Sequence, residues 1–124
     1  MLTYIVIAIV IFIAYFFFFR PNMNRGFADL PMDDLIEYIN EKNAILIDVR
    51  TPKETKQGMI GKPLEIELGP GMQQKMNKLD KSKTYIVYCR SGKRSAIASN
   101  MMVKMGFENV HNLTGGYLAY TAKK

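Results

Sequence analysis

Residues 1–19 carry no charged side chain, and Thr3 is the one residue among them outside the apolar and aromatic set. Nothing else in this 124-residue chain restricts its folding as strongly. In lipid every backbone N–H and C=O has to be satisfied inside the segment, so such a run is expected as a helix. Leu2 to Phe19 at about 1.5 Å per residue would reach about 27 Å, slightly under a hydrocarbon core of about 30 Å. Arg20 can snorkel and Tyr15 can sit at an interface, which relieves a small mismatch. We therefore read residues 1–19 as one transmembrane helix. A cleaved signal peptide fits less well: there is no basic n-region, the run is too long for an h-region, and no small-x-small site follows. Arg20 and Arg25 flank the C-terminal end of the run, and no Lys or Arg precedes it. The positive-inside rule then gives a single-pass protein of the cell membrane, with the following domain in the cytoplasm. A free thiol suits that reducing compartment. Residues 20–26 read as a linker, in which Pro21 stops a helix and Gly26 loosens the chain.

All 17 Lys and Arg and all 11 Asp and Glu lie beyond residue 19. Residues 27–124 thus have the composition of one soluble domain. This excludes a wholly disordered, multi-domain or polytopic chain. The net charge of +6 suits a domain held near anionic lipid. No aromatic–basic interleaving points to nucleic acid, and no nucleic-acid partner is expected. One Cys excludes a disulfide within the chain and a metal site built from several thiolates. The lone His111 argues against a histidine-rich metal centre and reads as structural. No metal or cofactor is expected.

Strand and helix patterns alternate along the domain. Pro31 suits the first turn of a helix, Asp33 and Asp34 favour its positive end, and Leu35, Ile36 and Ile39 give it an apolar stripe up to about Asn40. Residues 44–49 form a continuous apolar run, as in a strand covered on both faces. Pro52 opens a short helix ending near Gly58. Residues 64–68 alternate like a short strand, and Gly69-Pro70-Gly71 is a turn. Residues 73–79 read as a helix and 84–88 as a second buried strand. Residues 95–105 read as a helix with Ile97, Met101, Met102 and Met105 at core spacing, stopped by Gly106. Residues 109–113 form a last strand, and Gly115-Gly116 leads into a final short helix. The alternation implies an α/β sandwich with a largely parallel sheet.

The chemistry is concentrated in Cys89-Arg-Ser-Gly-Lys-Arg-Ser95, between a buried strand and a helix. In open α/β sheets, sites form outside the carboxyl ends of the strands. Gly92 permits a tight curl of backbone N–H groups around the sulfur. The positive end of the next helix and Arg90, Lys93 and Arg94 favour thiolate over thiol. The same cradle would hold an anionic group of a substrate.

These residues resemble the active-site loop of the rhodanese family of sulfurtransferases. Ile47-Asp-Val-Arg50 followed by Glu54 is similar to that family's first signature, and Leu113-Thr-Gly-Gly116 to its leucine-x-glycine-glycine. The similarity runs from about Phe27 to Ala122 and is nearest to single-domain rhodaneses with an N-terminal membrane anchor. It implies a rhodanese-like three-layer sandwich with a mainly parallel central sheet. It also implies that Cys89 takes sulfane sulfur from thiosulfate or a persulfide and passes it to cyanide, a thiol or a protein acceptor. On this resemblance, the N–H groups of Arg90, Ser91, Gly92, Lys93 and Arg94 stabilise thiolate and persulfide. Arg94 matches the loop's closing arginine, and Arg50 matches a pocket-edge arginine that attracts an anionic donor. Asp48 supports the loop or pairs with an arginine. Two departures bear on substrate preference: Met59 stands where the family often has His, and Thr55 where it often has an aromatic. Asn112-Leu-Thr114 matches a glycosylation pattern, which is irrelevant in a cytoplasmic domain.

Two other functions compete. A Cys-based phosphatase needs five residues between Cys and Arg to wrap an oxyanion, and Arg94 comes one place early; an arsenate reductase usually relays through further cysteines, and the chain has none. A sulfur carrier or interaction module would dock a membrane partner without free turnover.

Overall fold

The computed structural model describes residues 1–18 and 26–123. The expected linker, residues 20–26, falls outside these except for Gly26. The first helix, α1 (Leu2–Phe18), exposes its apolar side chains from Leu2 to Phe17. The expected transmembrane span over residues 1–19 ends at Phe19, outside the described residues, and is not shown by them. The 17 residues of α1 reach about 26 Å, short of a core of about 30 Å. Among the described residues, no helix is long and apolar enough to cross a membrane.

The rest of the chain is built on five strands: β1 (Ala28–Leu30), β2 (Ile45–Asp48), β3 (Leu64–Glu65), β4 (Thr84–Tyr88) and β5 (Asn109–Leu113). Their order in the sheet is β1-β5-β4-β2-β3, and every pairing is parallel. Central β4 sets Ile47 opposite Val87 and Ile86 opposite His111. Successive strand side chains point to opposite faces, so β4 feeds two cores. Tyr85, Val87 and Cys89 pack with Met72, Met76, Ala98 and Met102 from α4 (Met72–Met76) and α5 (Lys93–Lys104). Ile86 and Tyr88 pack with Leu35, Leu113 and Tyr117, bringing in α2 (Leu35–Lys42) and α6 (Gly116–Ala122). Helices on both faces of one parallel sheet make the expected three layers. The remaining helix, α3 (Pro52–Thr55), starts from a capping box formed by Thr51 and Glu54.

Several elements differ from the sequence pattern. β1 was not expected; three residues are too few to show a period. The first helix of the domain enters through a 3-10 turn, Met32–Asp34, with Pro31 just outside it. It runs on to Lys42 because Asn43, at φ 50°, closes it in the left-handed region that Asn tolerates. β3 keeps only two ladder residues, although the Ile66 and Leu68 N–H groups still donate to the Asp48 and Val49 carbonyls. The long helix begins at Lys93, two residues early, and buries Ser95, Ala98, Ser99 and Met102. Ile97 faces out, 55% exposed. Small residues let α5 approach the sheet closely; Met102 is in the core with Met101 and Met105 packed against it, as expected, and Ile97 alone was misplaced.

Met102 has no exposed surface. Met102→Ala should lower stability by about 2–5 kcal/mol in denaturant unfolding. Ile97→Ala, on the outer face, should stay within about 0.5 kcal/mol of the parent.

Candidate active site

Cys89 follows the last residue of β4, where the chain turns to enter α5. Gly92 sits before the helix at φ 106°, a conformation that side chains other than glycine's rarely allow. The turn brings the Gly92 N–H to 3.0 Å from the Cys89 Sγ, with the Ser95 hydroxyl at 3.4 Å. Cys89 itself has no exposed surface. Burial pushes its thiol up, but hydrogen bonds from the Ser95 hydroxyl and from the N–H groups of Ser95, Gly92 and Ser91 outweigh it. The net effect holds the thiol below the ordinary cysteine range. The donors reaching the sulfur are thus Ser91, Gly92 and Ser95, a narrower set than the expected run from Arg90 to Arg94.

The loop is held from behind by α6. The Tyr117 N–H donates to the Cys89 carbonyl at 2.8 Å and the Leu118 N–H to the Arg90 carbonyl at 3.0 Å. In a trans peptide the C=O and the next N–H point opposite ways, so fixing the Arg90 carbonyl outward turns the Ser91 N–H inward. A Cβ at Gly116 would strike the Cys89 carbonyl and lie 2.8 Å from that of Arg90, which explains the second glycine of Leu113-Thr-Gly-Gly116. On the inner side, the Ser95 Oγ lies 3.1 Å from the Gly92 carbonyl and 2.5 Å from the Asn112 Oδ1. The Asn112 amide also donates to the Gly92 carbonyl at 3.4 Å.

The charged residues divide into braces and rim. Asp48, without exposed surface, accepts from the Arg50 backbone N–H at 2.9 Å, from Nε at 3.0 Å and from Nη2 at 2.8 Å. Arg50 Nη2 also donates to the Gly58 carbonyl at 2.6 Å, and the guanidinium lies 4.2 Å from the Tyr117 ring centre. Arg50 is 4% exposed, so its expected role as an open attractor of anions is corrected: its guanidinium is already committed. Arg94 is likewise engaged, bidentate to Glu54 at 2.7 and 2.8 Å. That pairing holds the Glu54 carboxyl down at about 2, against an ordinary 4.5. Arg90, Ser91 and Lys93 are exposed. Arg90 lines a cavity of about 380 Å³ together with Arg50, Glu54 and Tyr117. A larger cavity of about 660 Å³ lies by Phe107, Val110 and His111, at the opposite end of the strands from Cys89.

The structure thus gathers Cys89, Ser91 and Gly92, sets Arg90 at the rim, and places Asp48, Arg50 and Arg94 in supporting ion pairs. Lys93 opens α5 with its side chain in solvent. Four contributors were not among the expected site residues: Glu54, Ser95, Asn112 and Gly116. Glu54 carried a signal in the Thr51-x-x-Glu54 spacing, and Gly116 in the double glycine. Nothing in the sequence marks Asn112 as a partner of the loop.

Comparison with known proteins shows the family. The family profile described as "Rhodanese-like domain" matches residues 31–123. A Schizosaccharomyces pombe protein, carried under the provisional name of a mitochondrial thiosulfate sulfurtransferase, is 38% identical over 96 residues, covering 67% of each chain. A sulfurtransferase of Allochromatium vinosum is 35% identical over 79 residues, covering 64% of this chain and 73% of that one. The crystal structure of a rhodanese-related protein from Thermoplasma volcanium superposes with a TM-score of 0.70. It has 28% identity and covers 78% of this chain and 93% of that one.

Because the carboxyl of Glu54 is depressed in the folded chain, the stability it contributes is complete above about 4.5 and is lost as pH falls toward about 2. Denaturant unfolding of the parent should weaken across that window, and Glu54→Gln should flatten the loss.

Proposed function

The chain belongs to the family of rhodanese-like domains, and from that premise we propose that it is a sulfurtransferase carrying sulfane sulfur on Cys89. The observation that carries this reading is the chain's one thiol, buried at the base of a loop whose N–H groups converge on its sulfur. The relatives named as sulfurtransferases support the same chemistry.

The thiolate attacks the outer sulfur of thiosulfate or of a persulfide. A new S–S bond forms at Cys89, the donor's S–S bond breaks, and sulfite or a thiolate leaves with the electron pair. In the second half-reaction cyanide or an acceptor thiolate takes the outer sulfur, and Cys89 returns as thiolate. The Ser91, Gly92 and Ser95 N–H groups are in place before either step, so they stabilise negative sulfur without reorganising. The spacing favours sulfur over phosphate, because the Gly92 N–H lies 3.0 Å from Sγ and only four residues separate Cys89 from Arg94, a tight ring for a tetrahedral oxyanion. Exposed Arg90 and Lys93 supply the attraction for an anionic donor that committed Arg50 does not. Met59, 38% exposed beside the Gly58 carbonyl that Arg50 holds, bears on donor preference.

The reading extends to location. The uncharged, exposed surface of α1 supports attachment at a membrane, and Arg20 and Arg25 support a cytoplasmic domain. The full chain should sediment with membranes and resist a salt wash, and a chain starting at Gly26 should stay in solution. Protease added to intact cells should leave the domain whole; digestion from outside would reverse the orientation.

Incubation with thiosulfate should add one sulfur atom to the intact mass, removable by cyanide or a reductant. Cys89→Ser should abolish both the adduct and transfer, since a hydroxyl forms no persulfide. Transfer surviving in Cys89→Ser would sink the mechanism. A persulfide that forms without turnover to small acceptors would favour a carrier that hands sulfur to a protein.

A further inference from the structure

Ser95 and Asn112 are both buried, and Ser95 has no exposed surface. The Ser95 hydroxyl owns one proton but has three acceptors within reach: the Asn112 Oδ1 at 2.5 Å, the Gly92 carbonyl at 3.1 Å and the Cys89 Sγ at 3.4 Å. The orientation of the amide decides which of them is served first. Its Nδ2 faces two acceptors, the Gly92 carbonyl at 3.4 Å and the Asp29 carboxylate at 3.5 Å, so Oδ1 is left facing Ser95. Two oxygens 2.5 Å apart need a proton between them, and Ser95 has the only one to offer. We propose that Asn112 is a positioning residue that competes with the Cys89 sulfur for the single proton of Ser95. The inference rests on Cys89 being the nucleophile.

The backbone N–H groups of Ser91, Gly92 and Ser95 are fixed, so they serve the sulfur at all times. The hydroxyl is a rotor. With Asn112 drawing the proton at 2.5 Å, the Ser95 bond to the sulfur stays long, at 3.4 Å, and weak. Freed from Asn112, it gives the thiolate a charge-assisted hydrogen bond, stronger than one to the neutral Gly92 carbonyl. Asn112 thus keeps the thiolate less stabilised, and more nucleophilic, than the pocket would otherwise make it. The charged groups around this network are Arg90 and Lys93 on the loop and first turn of α5, the Arg94–Glu54 pair bridging α5 and α3, the Asp48–Arg50 pair from β2, and Asp29 on β1. All of them stay unchanged in the variants below.

The test is the titration of Cys89 in full-length protein carrying isotope-labelled cysteine, followed by its Cβ resonance; with one Cys the signal is unambiguous. Asn112→Leu keeps the side-chain shape and removes the acceptor. Its midpoint should move to lower pH by about one unit, the scale of one hydrogen bond to a charged group. In a Ser95→Ala background the same substitution should leave the midpoint where Ser95→Ala alone puts it. Asn112→Ala serves as a second variant with the same expected sign. A merely structural Asn112 would loosen the N–H cradle and move the midpoint upward. An unmoved or upward midpoint, or a downward shift that persists without Ser95, overturns the proposal. The titration uses no sulfur donor, so its outcome is separate from that of the sulfur-transfer reading, which fails if wild-type Cys89 takes no sulfur from thiosulfate.

Discussion

Two N–H groups at the start of α6 hold the loop that follows β4, and the remainder of the site depends on them. They take the carbonyls of Cys89 and Arg90 away from the sulfur, and peptide geometry then delivers the Ser91 N–H toward it. A loop with those carbonyls free could rotate a peptide and point an acceptor at a negative sulfur. Gly116 allows the close approach, since any side chain there would meet the two carbonyls it has to serve. The chemistry of residue 89 is thereby set by residues more than twenty positions away.

The cationic appearance of the loop and its surroundings is only partly a field for substrates. Asp48–Arg50 and Glu54–Arg94 are braces. The first ties the end of β2 to the Gly58 carbonyl and the Tyr117 ring, and the second ties α3 to the first turn of α5. The Asp48–Arg50 pair is buried, so it contributes little net stability while intact, but losing one partner leaves a charge in a dry site and costs about 3–5 kcal/mol. Such pairs therefore secure geometry more than they add to stability. Arg90 and Lys93 are left as the exposed cations of the loop and the first turn of α5.

What could be read from the sequence follows from what each feature needs. β4 was legible to the residue because a buried parallel strand is a short, nearly continuous apolar run. Cys89 and Gly92 were legible because a thiol, a glycine and three cations coincide at a strand-to-helix junction. The commitments of the side chains were not legible. Arg50 and Arg94 look the same in sequence whether free or paired, and only the approach of Asp48 and Glu54 decides. Asn112 looked like part of a surface pattern and is instead 7% exposed behind the loop. Ile97 was assigned inward by hydropathy, whereas close packing against a parallel sheet favours Ala98 and Ser99. The N-terminal run was legible as a helix, and its 17 described helical residues fall short of a full span.

The strand order carries a consequence for how the chain is made. Among the described residues, β1 is the first strand to be synthesised and pairs only with β5, the last. The two are separated by most of the domain, and contacts of such long range form late. On a ribosome the β2–β4 pair can assemble while β1 still waits for its neighbour. The loop of Cys89 then emerges without Asn112, Gly116, Tyr117 or Leu118 to shape it. An unfinished chain therefore carries an ordinary cysteine, and the thiol becomes reactive only when the final turn of the polypeptide closes over it.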